Sequence, residues 1–256
     1  MLFSLTSHLP DAIIVTEVMI TVEYKWSKGQ GFLLAANLVI MTAVFVGNYF
    51  FLTVGGLGIK AVTSAGFVLM GLLNLAFSMI RGQSRISFQI FLSAGLLLAC
   101  LGDILITPSF ITGASLFAAG HICFFVSYCT LDRLRLLDSV IGGGIFTAAA
   151  CFILFSPILY FSADYLRGIC LAYALIISCM VGKAAGNFIR ARNLLTATLL
   201  VGCILFFFSD LMLLLDWFGG GGRITGLLCM GTYYPAECLL AISGLTGCFE
   251  RNTSLK

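Results

Sequence analysis

The sequence predicts an all-α membrane protein, a single bundle of eight transmembrane helices with both termini cytoplasmic. Three observations carry this. Across 256 residues, hydrophobic side chains make up 60% and charged ones only 10%, against roughly 45–50% and about 25% in ordinary soluble chains. Mean hydropathy is +1.08, so too few polar groups exist to cover a water-facing surface. The apolar residues also fall into eight runs, each near the ~20 residues that a helix needs to cross a bilayer.

In chain order the runs are 31–52, 59–80, 88–106, 110–130, 140–160, 165–183, 194–215 and 224–248. Charges, glycines and prolines break them, among them Gly55–Gly56, Arg81–Arg85, Pro108, Asp132–Arg135, Arg190–Arg192 and Gly219–Gly222. The connections are short, so residues 31–248 read as one domain, followed by a short tail at 249–256. Residues 1–30 read as an interfacial or loosely ordered extension. Within it, Glu17, Thr21, Glu23 and Lys25 alternate with Val18, Ile20, Val22, Tyr24 and Trp26, a strand-like period with no partner strand. The first residues lack the basic region of a secretory signal.

Lys and Arg set the orientation. Eight spans put Lys25, Lys28, Arg81, Arg85, Arg133, Arg135, Lys183, Arg190, Arg192, Arg251 and Lys256 on one side, and only Lys60, Arg167 and Arg223 on the other. By the positive-inside rule the first side is cytoplasmic. The sequon Asn252-Thr253-Ser254 then lies in the cytoplasm and stays unglycosylated. The location is a multi-pass one, in the endoplasmic reticulum or another endomembrane of a eukaryote or the inner membrane of a bacterium. Ten cysteines sit in apolar runs without a C-x-x-C pair and read as small packing residues. The net charge of +3 comes from scattered basic residues, so no nucleic-acid partner is expected.

Ionisable residues inside spans are expensive and are functional candidates by default. Here they are Asp103, Asp210, Glu237 and His121, with Lys60 opening the second span. At 1.5 Å per residue, Asp103 and Asp210 lie ~5–9 Å below the non-cytoplasmic ends of their spans, and His121, Tyr233, Tyr234 and Glu237 ~14–20 Å below the same surface. With Asn48, they predict a hydrated cleft opening to the non-cytoplasmic leaflet. The two aspartates also share a local pattern, LLLACLGDILI at 96–106 and CILFFFSDLML at 203–213, as two related four-helix halves would produce. Two histidines cannot build a three-histidine zinc site, and no G-x-S-x-G elbow is present. GGLGIK at 55–60 lacks phosphate-loop spacing. Gly142–Gly144 and the Gly182/Gly186 pair read as helix contacts.

The motifs LGD (101–103), GH (120–121), FSD (208–210) and TYYPAE (232–237), in this order on eight spans, resemble the YhhN-type lysoplasmalogenase family. The resemblance covers roughly 31–243. It implies hydrolysis of the vinyl-ether bond of lysoplasmalogens, releasing a fatty aldehyde and a glycerophospho-base. By motif, it implies catalytic roles for Asp103, Asp210 and His121, and substrate contacts from Lys60, Tyr233 and Tyr234. Ala61 departs from the proline usual after the lysine, and Glu237 stands where the family has Gln or His. Asn48 and Glu237 join the substrate-binding set from their depth alone.

Vinyl ethers hydrolyse by protonation of the β-carbon to an oxocarbenium-like cation, addition of water and collapse of the hemiacetal. That chemistry asks for a carboxylic acid and a second group that stabilises the cation or activates water, as in glycoside hydrolysis. It requires no cofactor and no metal. The expected partners are a lysophospholipid and membrane lipid. Lys60 serves either to bind the phosphate, the preferred reading, or to pair with an aspartate. The alternative function is a proton-coupled lipid or small-solute transporter, disfavoured because the cytoplasmic halves of the spans offer only Asn37 and Asn74 as strongly polar groups.

Overall fold

The computed structural model of the protein describes residues 28–82 and 85–249. The alternating segment at 17–26 and the sequon at 252–254 lie outside them. All regular structure among the described residues is helical: α1 (Lys28–Val54), α2 (Leu57–Ile80), α3 (Ile86–Leu105), α4 (Phe110–Leu131), α5 (Leu136–Phe155), α6 (Asp164–Arg190), α7 (Leu194–Phe218) and α8 (Arg223–Phe249). Residues 1–32 form a unit of their own, described only where α1 begins; the packing and the sites below concern the unit 33–256.

Seven of the helices, α1 to α7, are long and apolar enough to cross a membrane. The last, α8, is as long as α6, but Thr232, Tyr233, Tyr234, Pro235 and Glu237 thin its apolar run. Three boundaries differ from expectation. Lys28–Gln30 are already helical. The fifth helix spans Leu136–Phe155 instead of 140–160, since Pro157 restricts the residue before it to extended backbone. The sixth continues through Lys183 to Arg190. Lys183 ends no helix because its ammonium is buried against Asp138 at 3.1 Å and donates to the Arg133 carbonyl at 2.9 Å.

Six helices close a ring in the order α2, α3, α4, α6, α7, α8 and back to α2, with α3 also touching α8 across it. Helix α5 packs outside this ring against α6. Helix α1 reaches α2 where Val44 covers Gly66, and α8 where Asn48 donates to the Met230 carbonyl at 3.2 Å. Gly55 and Gly56 turn the chain between α1 and α2 with φ of 75° and 107°, conformations that only glycine adopts cheaply.

Lipid tails are as apolar as leucine, so helices in a membrane associate through close packing and polar pairs. Both appear here. A Cβ on Gly182 would lie 2.6 Å from the Asp138 carbonyl, and one on Gly142 would lie 3.0 Å from the Ser178 carbonyl. The α5 and α6 backbones therefore touch, as the glycine spacing predicts for Gly142, Gly182 and Gly186; Gly143 and Gly144 face open space. Asn37 and Asn74 pair at 2.9 and 3.1 Å, and Asn74 donates to the Ala241 carbonyl at 2.9 Å. At the far end of α6, Arg190 grips Asp132 and Asp138 at 2.6 Å each, tying the α4–α5 connection down.

Two aspartate centres and an apolar cavity

Asp103 lies two residues from the end of α3 and is 1% exposed. Both of its carboxylate oxygens are taken. The Lys60 ammonium of α2 stands 3.1 Å from Oδ1, while Ser64 Oγ and the Tyr233 hydroxyl donate to Oδ2 at 2.5 and 2.8 Å. Tyr234 lies 3.2 Å from Ser64 Oγ and donates to the Lys60 carbonyl at 3.5 Å. This is a sealed, fully partnered ion pair.

Asp210 lies on α7 and meets only neutral or titratable partners. Tyr173 of α6 donates to Oδ2 at 2.8 Å, and His121 Nε2 of α4 stands 3.1 Å from the same oxygen and 2.8 Å from the Tyr173 hydroxyl. Because the Tyr173 proton goes to Asp210, both His121 contacts call for a proton on Nε2. These bonds all fall on Oδ2. The Asp210 side chain keeps 12% exposure and lines a cavity, so Oδ1 is the oxygen left to face it.

The cavity holds about 400 Å³ between α4, α5, α6 and α7, within the usual range for small-molecule sites. Its wall is almost wholly apolar. Phe110, Phe117, Ala149, Phe152, Ala174 and Ile177 are typical of it, and Asp210 and Tyr173 supply the only oxygen-bearing side chains. At one end, Ile145 and Ile177 of the lining lie beside the contact that Gly142 makes with α6; at the other, Phe110 packs on Trp217 and Phe218 at 4.9 and 5.2 Å between centroids. Between the two centres stands an aromatic wall: Tyr233 on Phe206 at 5.4 Å, and Phe206 on His121 at 4.6 Å.

The centres are built alike. Each aspartate sits on the third helix of a four-helix half, bonded by the second helix of its own half and by the fourth helix of the other. The likeness of residues 96–106 and 203–213 thus has a counterpart in space.

Of the residues singled out in the sequence, the fold brings Asp210 together with His121, and Asp103 with Lys60, Tyr233 and Tyr234. It does not merge them into one cleft. Lys60 is 6% exposed and engaged by Asp103, so the pairing expectation describes it and the phosphate-binding expectation does not. Asn48 acts as a tie between α1 and α8. Glu237 is fully buried in the ring, and neither carboxyl oxygen has a hydrogen-bond partner among the described residues. No group of three or more His, Cys, Asp or Glu side chains among the described residues is placed to hold a metal ion. Sequence reading missed Tyr173 and Ser64. A tyrosine or serine in an apolar run is ordinary, so neither carries a signal until its partner is known.

A family model for the YhhN family matches residues 61–244. The chain belongs to the YhhN family. The matched stretch contains Ser64, Asp103, His121, Tyr173, Asp210, Tyr233, Tyr234 and Glu237, and begins immediately after Lys60. Both centres of this YhhN chain therefore lie within the matched stretch, apart from Lys60. Comparisons with curated proteins and with solved structures return no match.

Proposed function

We propose that this protein hydrolyses the vinyl ether of lysoplasmalogens, and that the Asp210 centre is where it does so. The observation that carries the reading is a carboxyl oxygen facing an apolar cavity of about 400 Å³ while its partner oxygen is held by Tyr173 and His121. A single-chain ether lipid presents hydrocarbon on one side of its reactive bond and a polar headgroup on the other, which suits that arrangement.

In its acid form, Asp210 gives a proton to the β-carbon of the alkenyl chain. The π electrons form the new C–H bond, and the ether oxygen shares its lone pair to give the oxocarbenium. Water adds to the cationic carbon and returns a proton to the Asp210 carboxylate. The hemiacetal then expels the glycerol oxygen, which takes up the hydroxyl proton, leaving aldehyde and glycerophospho-base. His121 and Tyr173 hold Oδ2 so that Oδ1 stays aimed at the substrate, and the apolar wall limits how much water reaches the cation. The Asp103 centre holds α2, α3 and α8 together and touches neither the cavity nor the substrate.

Eight spans with cytoplasmic termini, as the charge asymmetry suggests, would put the Asp210 cavity in the non-cytoplasmic leaflet. A glycan at Asn252 in a eukaryotic host would reverse that assignment. The function is tested by giving purified protein lysoplasmenyl-ethanolamine in detergent and following free aldehyde, with acyl lysophospholipid as the control. No aldehyde, together with proton-coupled uptake into proteoliposomes, would establish the transporter instead.

A further inference from the structure

The sequence offered Lys60 for the substrate phosphate, and the fold commits Lys60 to Asp103. Arg167, on the second helix of the other half, is differently placed. Arg167, Cys170 and Ala174 follow the i, i+3, i+7 spacing of one helical stripe, and Cys170 and Ala174 line the Asp210 cavity. Arg167 thus lies at one edge of the cavity-lining face of α6, in line with Ala174 and outside the lining itself, six residues before Tyr173, or ~9 Å along the helix axis.

Its guanidinium lies over Phe161, 5.3 Å from the ring centroid. Phe161 in turn stacks on Phe218 at 4.6 Å, in the aromatic cluster that includes the cavity residue Phe110. The buried Nε has no hydrogen-bond partner, and among the described residues no carboxylate pairs with Arg167. Lys60, Arg135, Lys183 and Arg190 all have such partners. An unpaired guanidinium stacked on the aromatic cluster at one end of an apolar cavity is poised for a planar, bidentate contact with an oxyanion.

We propose that Arg167 is the binding residue for the phosphate of a single-chain ether phospholipid whose chain enters the Asp210 cavity. The ~9 Å rise from Tyr173 to Arg167 leaves room for a glycerol backbone between the vinyl ether at Asp210 and the phosphate at Arg167. The chain contributes little affinity, because lipid and cavity are equally apolar. Recognition of the phosphate is then what draws the molecule from the bilayer and sets its depth. The assignment of the ligand rests on the hydrolase reading; the phosphate site itself does not need turnover.

The test therefore has a binding arm and a kinetic arm. Protein in nanodiscs is titrated with a saturated 1-O-alkyl lysophosphoethanolamine, which has no vinyl ether to cleave, and with the matching 1-O-alkylglycerol. Wild type should prefer the phosphorylated lipid by about tenfold or more, the scale of one charged hydrogen bond. Arg167→Gln should lose that preference, Arg167→Lys should keep part of it as a point charge, and Arg223→Gln should keep all of it. In turnover, Arg167→Gln should raise KM for lysoplasmenyl-ethanolamine about tenfold and leave the alkenylglycerol unchanged. Phosphate preference without aldehyde release would overturn the hydrolase reading and keep the Arg167 site. Aldehyde release with an unaltered preference in Arg167→Gln would do the reverse, and wild type showing no preference would also sink the Arg167 proposal.

Discussion

Asp103 and Asp210 occupy equivalent places in two four-helix halves, and their surroundings diverge at two points. The second helix of the first half brings Lys60 and Ser64 to Asp103; that of the second half brings Tyr173 to Asp210. The outer helix also differs. Helix α1 lies close enough for Val44 to bury Gly66 and for Asn48 to reach α8. Helix α5 is pinned to α6 at Gly142 and Gly182, and its remaining length lines open space with Ala148, Ala149 and Phe152. One aspartate is consumed by its partners, and the other is presented to a cavity. Position in the helix marks where an acid is introduced, and the neighbouring helices decide whether it can meet a substrate.

The comparison is broken or kept by treating the two centres identically. Asp210→Asn should lower aldehyde release by at least about 10²-fold while the protein remains a monodisperse, folded species. Asp103→Asn should fail differently. It strands the Lys60 charge in the ring and should cost about 3–5 kcal/mol, read as a lower unfolding temperature and poor recovery. Removing both charges in Asp103→Asn/Lys60→Met should recover stability, and with it aldehyde release. A stable double variant with no activity would place Asp103 in the reaction and end the division of labour between the two centres.

A smaller effect separates the two tyrosines. Tyr173→Phe keeps the ring and removes the hydroxyl on Asp210 Oδ2; the loss of one hydrogen bond to a charged group predicts a kcat about 10–10²-fold lower. Tyr233→Phe removes the matching hydroxyl from Asp103 and should cost about 1–3 kcal/mol of stability with kcat nearly unchanged. Equal kinetic penalties would mean that the aromatic wall does not insulate the centres.

The smallest expected effect lies far from both. Asp132, in the α4–α5 connection, is pushed up by partial burial, but hydrogen bonds from Arg190 and Arg135 outweigh this and hold its carboxyl below the ordinary range. A depressed carboxyl contributes stability above its unfolded pKa of about 4 and loses it as the pH falls through the folded value. Asp132→Asn should therefore unfold slightly more easily than wild type at pH 7, and the gap should close below about pH 4. A gap that persists in acid would mean that the carboxylate charge is not what ties the connection to α6.

Much of this was legible in the chain. Composition and run length suffice for an all-helical membrane bundle, because backbone groups in hydrocarbon must be bonded within a helix. The same logic singled out Asp103, His121, Asp210 and Lys60, since charge in an apolar run is costly wherever that run ends up. Tyr173, Ser64 and Arg167 escaped for the complementary reason. Hydroxyls in apolar helices are cheap, and an arginine near a helix end reads as an interfacial anchor.

Sequence by itself therefore determined that these acids lie within helices. Their depth depended on where the helices end, which the structure sets two residues beyond Asp103 and eight beyond Asp210. Which groups face one another depends on helix rotation and crossing, which small-residue contacts such as Gly142 on Gly182 decide between segments distant in sequence. Only the tertiary structure could separate one expected cleft into a sealed ion pair and an open site. It also paired Lys60 with Asp103 and left Arg167 without a carboxylate partner among the described residues.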